Sequence, residues 1–252
     1  MQTHTPDSHA AGFASGTLNP LRYDGLTFDP WEVPALMRAM MPAGVRVLDV
    51  GCGTGAATTV ANTDKNNEVM GIEPDPDRAA AARARGMDAI CGYLSAEFFT
   101  EHGNFDVIIF GDVLEHLPDP ASMVSLALTG LRPGGYLLIS VPNVAHWTVR
   151  WQLLFGNFDY NSSGIRDATH LRWFTRKTLE KFLQAQGMEI VEFRHSSGFY
   201  TPDYDIFPWN RLPTKLRGKI IHAGTRFFPL LFGCQHVVKA RLRESKVKEI
   251  RS

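Results

Sequence analysis

Cysteine is scarce. Cys52, Cys91 and Cys234 are the only three in 252 residues, widely separated and odd in number, so neither a disulfide framework nor a zinc site of the usual spacing is expected. A reducing cytosol, hence a cytoplasmic protein, is the expected setting. No apolar run is long enough to span a bilayer, and no basic stretch followed by an apolar one opens the chain, so no secretory leader is expected. Charge of one sign is not in excess: Lys plus Arg equals Asp plus Glu at 26 each. Without a basic surplus, no general binding to nucleic acid is expected. There is no internal repeat. No nucleophilic triad and no metal-ligand cluster stands out either, so the expectation for a metal is none.

What is present is ordinary globular usage, with 44% hydrophobic and 21% charged residues. The length suits one sizeable α/β domain with additions. The chain is organised around Val45-Arg46-Val47-Leu48-Asp49-Val50-Gly51-Cys52-Gly53-Thr54-Gly55. An apolar β-type run ends in Asp49, and glycines follow at every second position. A second apolar run, Val69-Met70-Gly71-Ile72, closes on Glu73. The pattern reads as strand, glycine loop, helix, strand, acid. Residues without a Cβ let the backbone turn sharply and approach a ligand, and an acid at the end of the second strand is placed for a ribose diol. Three readings fit the loop: a tight turn, a dinucleotide site of the G-x-G-x-x-A kind through Ala56, or a site for S-adenosylmethionine (SAM).

Further motifs speak for the third. Asp49-Val50-Gly51-Cys52-Gly53-Thr54-Gly55 resembles the first motif of class I SAM-dependent methyltransferases, and Glu73 matches that family's ribose-binding acid. Leu114-Glu115-His116-Leu117 and Leu131-Arg132-Pro133-Gly134-Gly135 resemble its strand-4 and pre-strand-5 motifs, in order over about residues 45–143. The resemblance implies an α/β fold: a three-layer, Rossmann-like, seven-stranded, mostly parallel sheet whose last strand is antiparallel and inserted beside strand 6. It also implies the cofactor, SAM, and a set of roles. Gly51, Gly53 and the Cys52 backbone meet the amino-acid end, with Gly55 opening the following helix. Asp49 orients the loop or reaches the methionine amino group through water. Glu73 takes the ribose. Pro74 and Leu94 flank adenine, with Tyr93 a further candidate for stacking. Gly111 and Asp112 line the methionine side. Many relatives carry an acid after strand 3 for the adenine amino group. Here Gly92-Tyr93-Leu94-Ser95-Ala96-Glu97 has none directly after Gly92, which leaves Glu97 or backbone groups for that contact.

Around this core, residues 1–19 read as a disordered tail, and 20–252 as a single domain. Residues 20–44 are an expected N-terminal lid segment with a helix over 32–41, in which Tyr23 is either a cofactor contact or an aromatic anchor. Helices are expected over 78–85, 121–131 and 176–186, the last capped by Thr175. Strands are expected over 45–50, 68–73, 88–92, 105–110, 136–141, 188–195 and 234–243. Trp147, Trp151 and Phe155 recur at helical spacing within 145–155 and are expected in the core. Residues 155–195, with Asp167-Ala168-Thr169-His170-Leu171-Arg172, resemble a bacterial subgroup often associated with envelope-glycan and polysaccharide biosynthesis. An insertion at 196–233 carries a short basic helix over 215–228. Lys215, Arg217, Lys219 and Arg226 are mixed there with Ile220, Ile221, Phe227 and Phe228. It is expected either to cover the acceptor or to touch a membrane. Residues 244–252 form a charged tail.

Methyl transfer is a displacement at an activated carbon, in which the enzyme aligns the acceptor and handles a proton when the acceptor is a hydroxyl. The candidate bases are His170, His116 and His146, with Asp167 and Arg172 placed to set the tautomer of His170. The expected function is methylation of a small-molecule or glycan hydroxyl. Two other classes are weighed beside it: a SAM-binding regulator without catalysis, and a nicotinamide-dependent oxidoreductase. The second is disfavoured by the absence of a Tyr-x-x-x-Lys pair. Nothing in the sequence specifies an oligomeric state.

Overall fold

In the computed structural model, which describes residue 21, residues 24–204 and residues 208–243, the apolar runs become adjacent central strands. The expected tails at 1–19 and 244–252, and Tyr23, lie outside the described residues. Strands β1 (Arg46–Val50), β2 (Glu68–Glu73), β3 (Asp88–Cys91), β4 (Phe105–Gly111), β5 (Leu131–Pro142), β6 (Met188–Ser196) and β7 (Gln235–Leu242) form one seven-stranded sheet. Its order is β3-β2-β1-β4-β5-β7-β6, parallel except that β7 runs antiparallel to both β5 and β6. The last strand is thus slotted between β5 and β6, as expected.

Alternate residues of the central strands feed two apolar layers. Leu48, Ile108, Phe110, Leu137 and Ile139 pack against α4 (Ala96–His102), α5 (Pro120–Thr129) and α7 (Arg176–Ala185). Val47, Val107, Ile109 and Leu138 pack against α1 (Val33–Met40) and the end of α2 (Ala56–Ala61). A parallel strand buried on both faces needs apolar residues throughout, which is why these runs do not alternate with polar ones. Helix starts follow the capping chemistry. Asp75 accepts the backbone N–H of Asp77 and Arg78 ahead of α3 (Pro76–Ala84), and Thr175 forms a capping box with Thr178.

Three local expectations fail. Helix α4 was not foreseen: Ser95 caps it and it buries Phe98 and Phe99, an adjacent pair without helical periodicity. Strand β5 begins at Leu131 rather than 136, taking in the Leu131-Arg132-Pro133-Gly134-Gly135 motif, with a register shift opposite Phe105 and Val107. The aromatics of α6 (Trp147–Leu154) are not core. Trp147 packs on Tyr204, Trp209 and Phe232, but Trp151 and Phe155 are 59% and 61% exposed. A four-residue spacing drifts by about 40° per step on a 3.6-residue helix, so the stripe turns out of the interface after one step.

The lid segment and the insertion are clasped together. The insertion folds as α8 (Thr214–Phe227) and α9 (Pro229–Phe232), preceded by 3₁₀ turns at Pro202–Tyr204 and Trp209–Arg211. Glu32, just ahead of α1, accepts the Ser197 hydroxyl at 2.8 Å and the Phe199 N–H at 3.0 Å, while Trp31 stacks on His222. Burial raises the Glu32 carboxyl to about 7, against the donors' opposing pull. A carboxyl raised in the folded state contributes stability that is complete below its ordinary value near 4.5 and is lost as pH rises through 7. Glu32→Gln keeps an acceptor and removes the ionisation. Between pH 6 and 8.5 the wild type is expected to lose about 1.4 kcal/mol more stability than the variant, a few degrees in melting temperature. Parallel melting-temperature profiles for the two proteins would contradict this.

Candidate active site

The carboxyl ends of β1, β2, β4 and β5 open into one cavity of about 700 Å³, the place where open α/β sheets hold ligands. Asp49, Gly51, Cys52, Gly53, Glu73, Pro74, Tyr93, Leu94, Gly111 and Asp112 all lie in its wall, as do Glu115, His116 and His170 at another part of it. Gly55 does not. It supplies the positive-φ turn from which α2 starts.

The glycine loop is made by backbone geometry. Gly51, Gly53 and Gly55 take φ of 71°, 57° and 73°, a region where an L side chain is strained. At Gly51 a Cβ would also meet Val113 at 2.7 Å. The loop's amides are turned inward. Gly51 and Cys52 both donate to the Ile72 carbonyl, and Gly53 donates to Glu73 Oε2 at 2.9 Å. The amides of Gly51, Cys52 and Gly53 are therefore already used within the protein. The Cys52 thiol is packed against Gly71, Ala82, Met87 and Ala89, and burial pushes its pKa up, so it is a filler and not a nucleophile.

Glu73 is buried at the end of β2, with Oε1 accepting the Asp75 N–H at 3.0 Å. The acid expected at the ribose thus also clamps the glycine loop to β2. Asp49 accepts the Thr58 hydroxyl, tying the end of β1 to α2, and burial lifts its pKa to about 6. At the adenine end Leu94 is buried and Tyr93 stands 79% exposed at the rim. Glu97 is not part of the wall. It sits in the first turn of α4, with its carboxylate bonded to its own backbone and to Ser95, so it does not reach back to the cavity. Tyr23 lies outside the described residues; nearby Asp24 pairs with Arg85 at 2.6 Å, and Thr27 reaches the cavity wall.

Asp112 is a brace. It holds φ of 55°, uncommon for a residue with a side chain. Its Oδ1 accepts the Ser140 hydroxyl at 2.9 Å and its Oδ2 accepts the Gln235 amide at 2.7 Å, linking β4, β5 and β7. Desolvation raises its pKa against those two hydrogen bonds. Gln235 and Ser140 were missed, because neither type carries a signal until the antiparallel strand is placed.

The acceptor end brings together residues distant in sequence. The backbone N–H groups of Leu171 and Arg172 both donate to the Glu115 carbonyl, at 2.7 and 2.9 Å, and Arg172 also donates to the Pro118 carbonyl. These bonds dock the 165–172 loop on the Leu114–His116 turn and set the imidazoles of His116 and His170 with centroids 4.8 Å apart. The sequence expected Asp167 and Arg172 to fix His170. Instead its Nδ1 lies 3.0 Å from the Ile165 carbonyl, while Asp167 accepts the Thr169 N–H and hydroxyl. A carbonyl only accepts, so Nδ1 of His170 carries a proton. His116 Nδ1 has the same relation to the Thr169 carbonyl at 3.2 Å. Arg166, paired with Asp203 at 3.4 Å in a buried bridge, fastens this loop to the insertion. Tyr200, Thr201 and Pro202 complete the wall. His146 is not in that wall. It is fully buried between the Thr148 and Tyr204 hydroxyls, and burial depresses its pKa to about 3, which removes it from the candidate bases.

Comparison with known proteins agrees with this geometry. A methyltransferase-domain family profile matches residues 31–193. The ubiquinone biosynthesis O-methyltransferase of Aromatoleum aromaticum is 34% identical over 183 residues, 69% of this chain and 73% of that protein. Its Ralstonia nicotianae counterpart is 33% identical over 70% of this chain and 72% of that one. Among solved structures, a SAM-dependent methyltransferase from Archaeoglobus fulgidus superposes with a TM-score of 0.52 at 18% identity, covering 82% of this chain and 93% of the other. That last likeness is one of fold.

Proposed function

The chain belongs to the class I SAM-dependent methyltransferases, and from that premise we propose that it methylates a hydroxyl of a small-molecule acceptor held against Glu115, His116 and His170. The observation that carries this reading is the single cavity joining the glycine loop and Glu73 to the paired imidazoles. The ribose is assigned to Glu73 and the adenine to the edge formed by Pro74, Tyr93 and Leu94. Because the loop's amides are spent inside the protein, the cationic amino group of SAM, itself a donor, is assigned to carbonyl oxygens of the loop and to Asp49. The acceptor oxygen then attacks the methyl carbon from about 3 Å. The carbon–sulfur bond breaks with its electron pair on sulfur, and S-adenosylhomocysteine leaves. The hydroxyl proton passes to the imidazole pair of His116 and His170.

Of the two acceptor classes left open by the sequence, the relatives' names favour a small molecule over a glycan. The free thiols Cys52, Cys91 and Cys234 suit a reducing cytoplasm. The experiment is transfer from labelled SAM to a panel of phenolic, catecholic and sugar hydroxyls. Label in a phenol or catechol supports the proposal; label only in sugars overturns the acceptor class, and label in none overturns the catalytic reading.

The surface beside the insertion is proposed as a membrane contact. Leu216, Ile220 and Phe227 form one exposed stripe of α8, with exposed Phe228 and Leu230 following. Lys215, Lys219 and Arg226 run parallel to it, and residues 208–232 contain no acid. Arg217 leaves this set: it donates to the Tyr204 carbonyl and lies over Phe199. No described helix is long and apolar enough to cross a membrane, so the contact would be interfacial. The protein is expected to float with anionic liposomes at low salt, and Lys215→Glu with Lys219→Glu to abolish flotation. Equal flotation with neutral vesicles or with the double variant would contradict the electrostatic part.

A further inference from the structure

The solvent side of α6 carries a joined apolar face. Trp151, Leu154 and Phe155 are spaced i, i+3 and i+4, so they share one side of the helix, and they are 59%, 72% and 61% exposed. The rings of Trp151 and Phe155 meet edge to face with centroids 5.0 Å apart. The helix is fixed from its other side. Thr148 and Val149 are buried, and Trp147 packs on Tyr204, Trp209 and Phe232. Turning Trp151 and Phe155 inward would undo that packing. Single large side chains on a surface need no explanation, whereas a contiguous set marks an interaction site.

Charge distinguishes this face from the stripe on α8. There Lys215, Lys219 and Arg226 stand without an acid. Residues 144–164 hold one permanent cation, Arg150, and one acid, Asp159, and both are exposed. A face with no net charge gains nothing from an anionic bilayer. One charge of each sign on either side of an apolar centre is instead complementary to itself, since a twofold interface makes each residue pair twice. We propose that this face of α6 is the contact between two copies of this chain. The helices cross antiparallel about Leu154, setting Arg150 of one copy against the partner subunit's Asp159.

The size of the face sets the strength. At the exposures given, the three side chains offer roughly 350 Å² of apolar surface. With Arg150, Asn157, Asp159 and Tyr160 as a polar rim, the face reaches about 600 Å² per copy, the low end for a specific interface. Aromatic anchors inside a polar rim are the usual anatomy of such contacts. The expected dimer is therefore reversible, of roughly micromolar strength. The chain after α6 runs on into Ser163, Gly164 and Ile165 of the cavity wall, while the glycine loop and Glu73 lie on other elements. Affinity for S-adenosylhomocysteine thus reports an intact fold independently of association.

The test is sedimentation velocity of the full-length protein from about 1 to 100 µM, without lipid or detergent. The wild type is expected to pass from monomer to dimer across this range. Trp151→Asp is expected to weaken association more than tenfold, with melting temperature and S-adenosylhomocysteine affinity held. Leu154→Asp, on the same exposed face, serves should that variant fail to fold. Arg150→Glu and Asp159→Arg are each expected to weaken the dimer severalfold, and the two together to restore it to within about twofold of wild type. A wild type that stays monomeric overturns the proposal, as does a dimer that Trp151→Asp and Leu154→Asp leave intact, or a charge-reversed pair that recovers nothing. A monomer whose flotation with liposomes is lost in Trp151→Asp gives the face to a membrane instead.

Discussion

Glu73→Ala is expected to lower SAM affinity at least a hundredfold and to lower the melting temperature as well. The carboxylate is buried in the cavity wall, with one oxygen on the Gly53 amide and the other on the Asp75 amide. Each oxygen has a second lone pair for a ribose hydroxyl. Hydrogen bonds to a charged group contribute about 1.5–3 kcal/mol each, and about 2.7 kcal/mol is a hundredfold in affinity. Removing the side chain also strands the two amides, at about 1–3 kcal/mol for each one left buried and unpaired. Glu73→Gln retains one carbonyl acceptor and is expected to fall between. Calorimetry and thermal unfolding on the same samples check both effects. SAM affinity within twofold of wild type would remove Glu73 as the ribose acid, and an unchanged melting temperature would remove it as the loop's clamp.

His170→Ala is expected to reduce turnover by about a hundredfold or more while leaving SAM affinity within twofold. Its ring lies in the cavity wall beside His116, on the loop docked to the Glu115 carbonyl and away from the glycine loop. A purely structural role gives a different pattern. The Nδ1 bond to Ile165 would be lost, the 165–172 loop would loosen, and melting temperature and turnover would fall together. Single-turnover methyl transfer and thermal unfolding therefore have to be measured side by side. An unchanged rate in a stable variant would take His170 out of the mechanism.

The parts legible in the sequence are those whose signal is local. The runs ending at Val50, Glu73 and Phe110 must be apolar because both faces are covered, and the spacing Gly51, Gly53, Gly55 follows from three successive positive φ values. Asp75 and Thr175 cap helices by contacts two or three residues away. What stayed hidden depends on contacts between distant segments. Glu32 meets Ser197 and Phe199 only once the insertion has folded back. Asp112 is a brace only because the antiparallel strand delivers Gln235. Nδ1 of His170 is held by the Ile165 carbonyl, and every residue has a carbonyl, so no residue type announces it. Glu115, His116 and His170 meet in the cavity wall only because the loop that joins them is docked by main-chain bonds. The aromatics of α6 misled for the opposite reason: their spacing is regular, but the helix buries Thr148 and Val149 instead.

A calorimetric titration of the purified chain with SAM, S-adenosylhomocysteine and NAD puts the central claim to the most direct test. The complete loop from Asp49 to Gly55 with Glu73 predicts one site for SAM and S-adenosylhomocysteine at roughly micromolar affinity, about −8 kcal/mol, and no heat with NAD. Binding of NAD with no heat from SAM would contradict the account from the glycine loop upward.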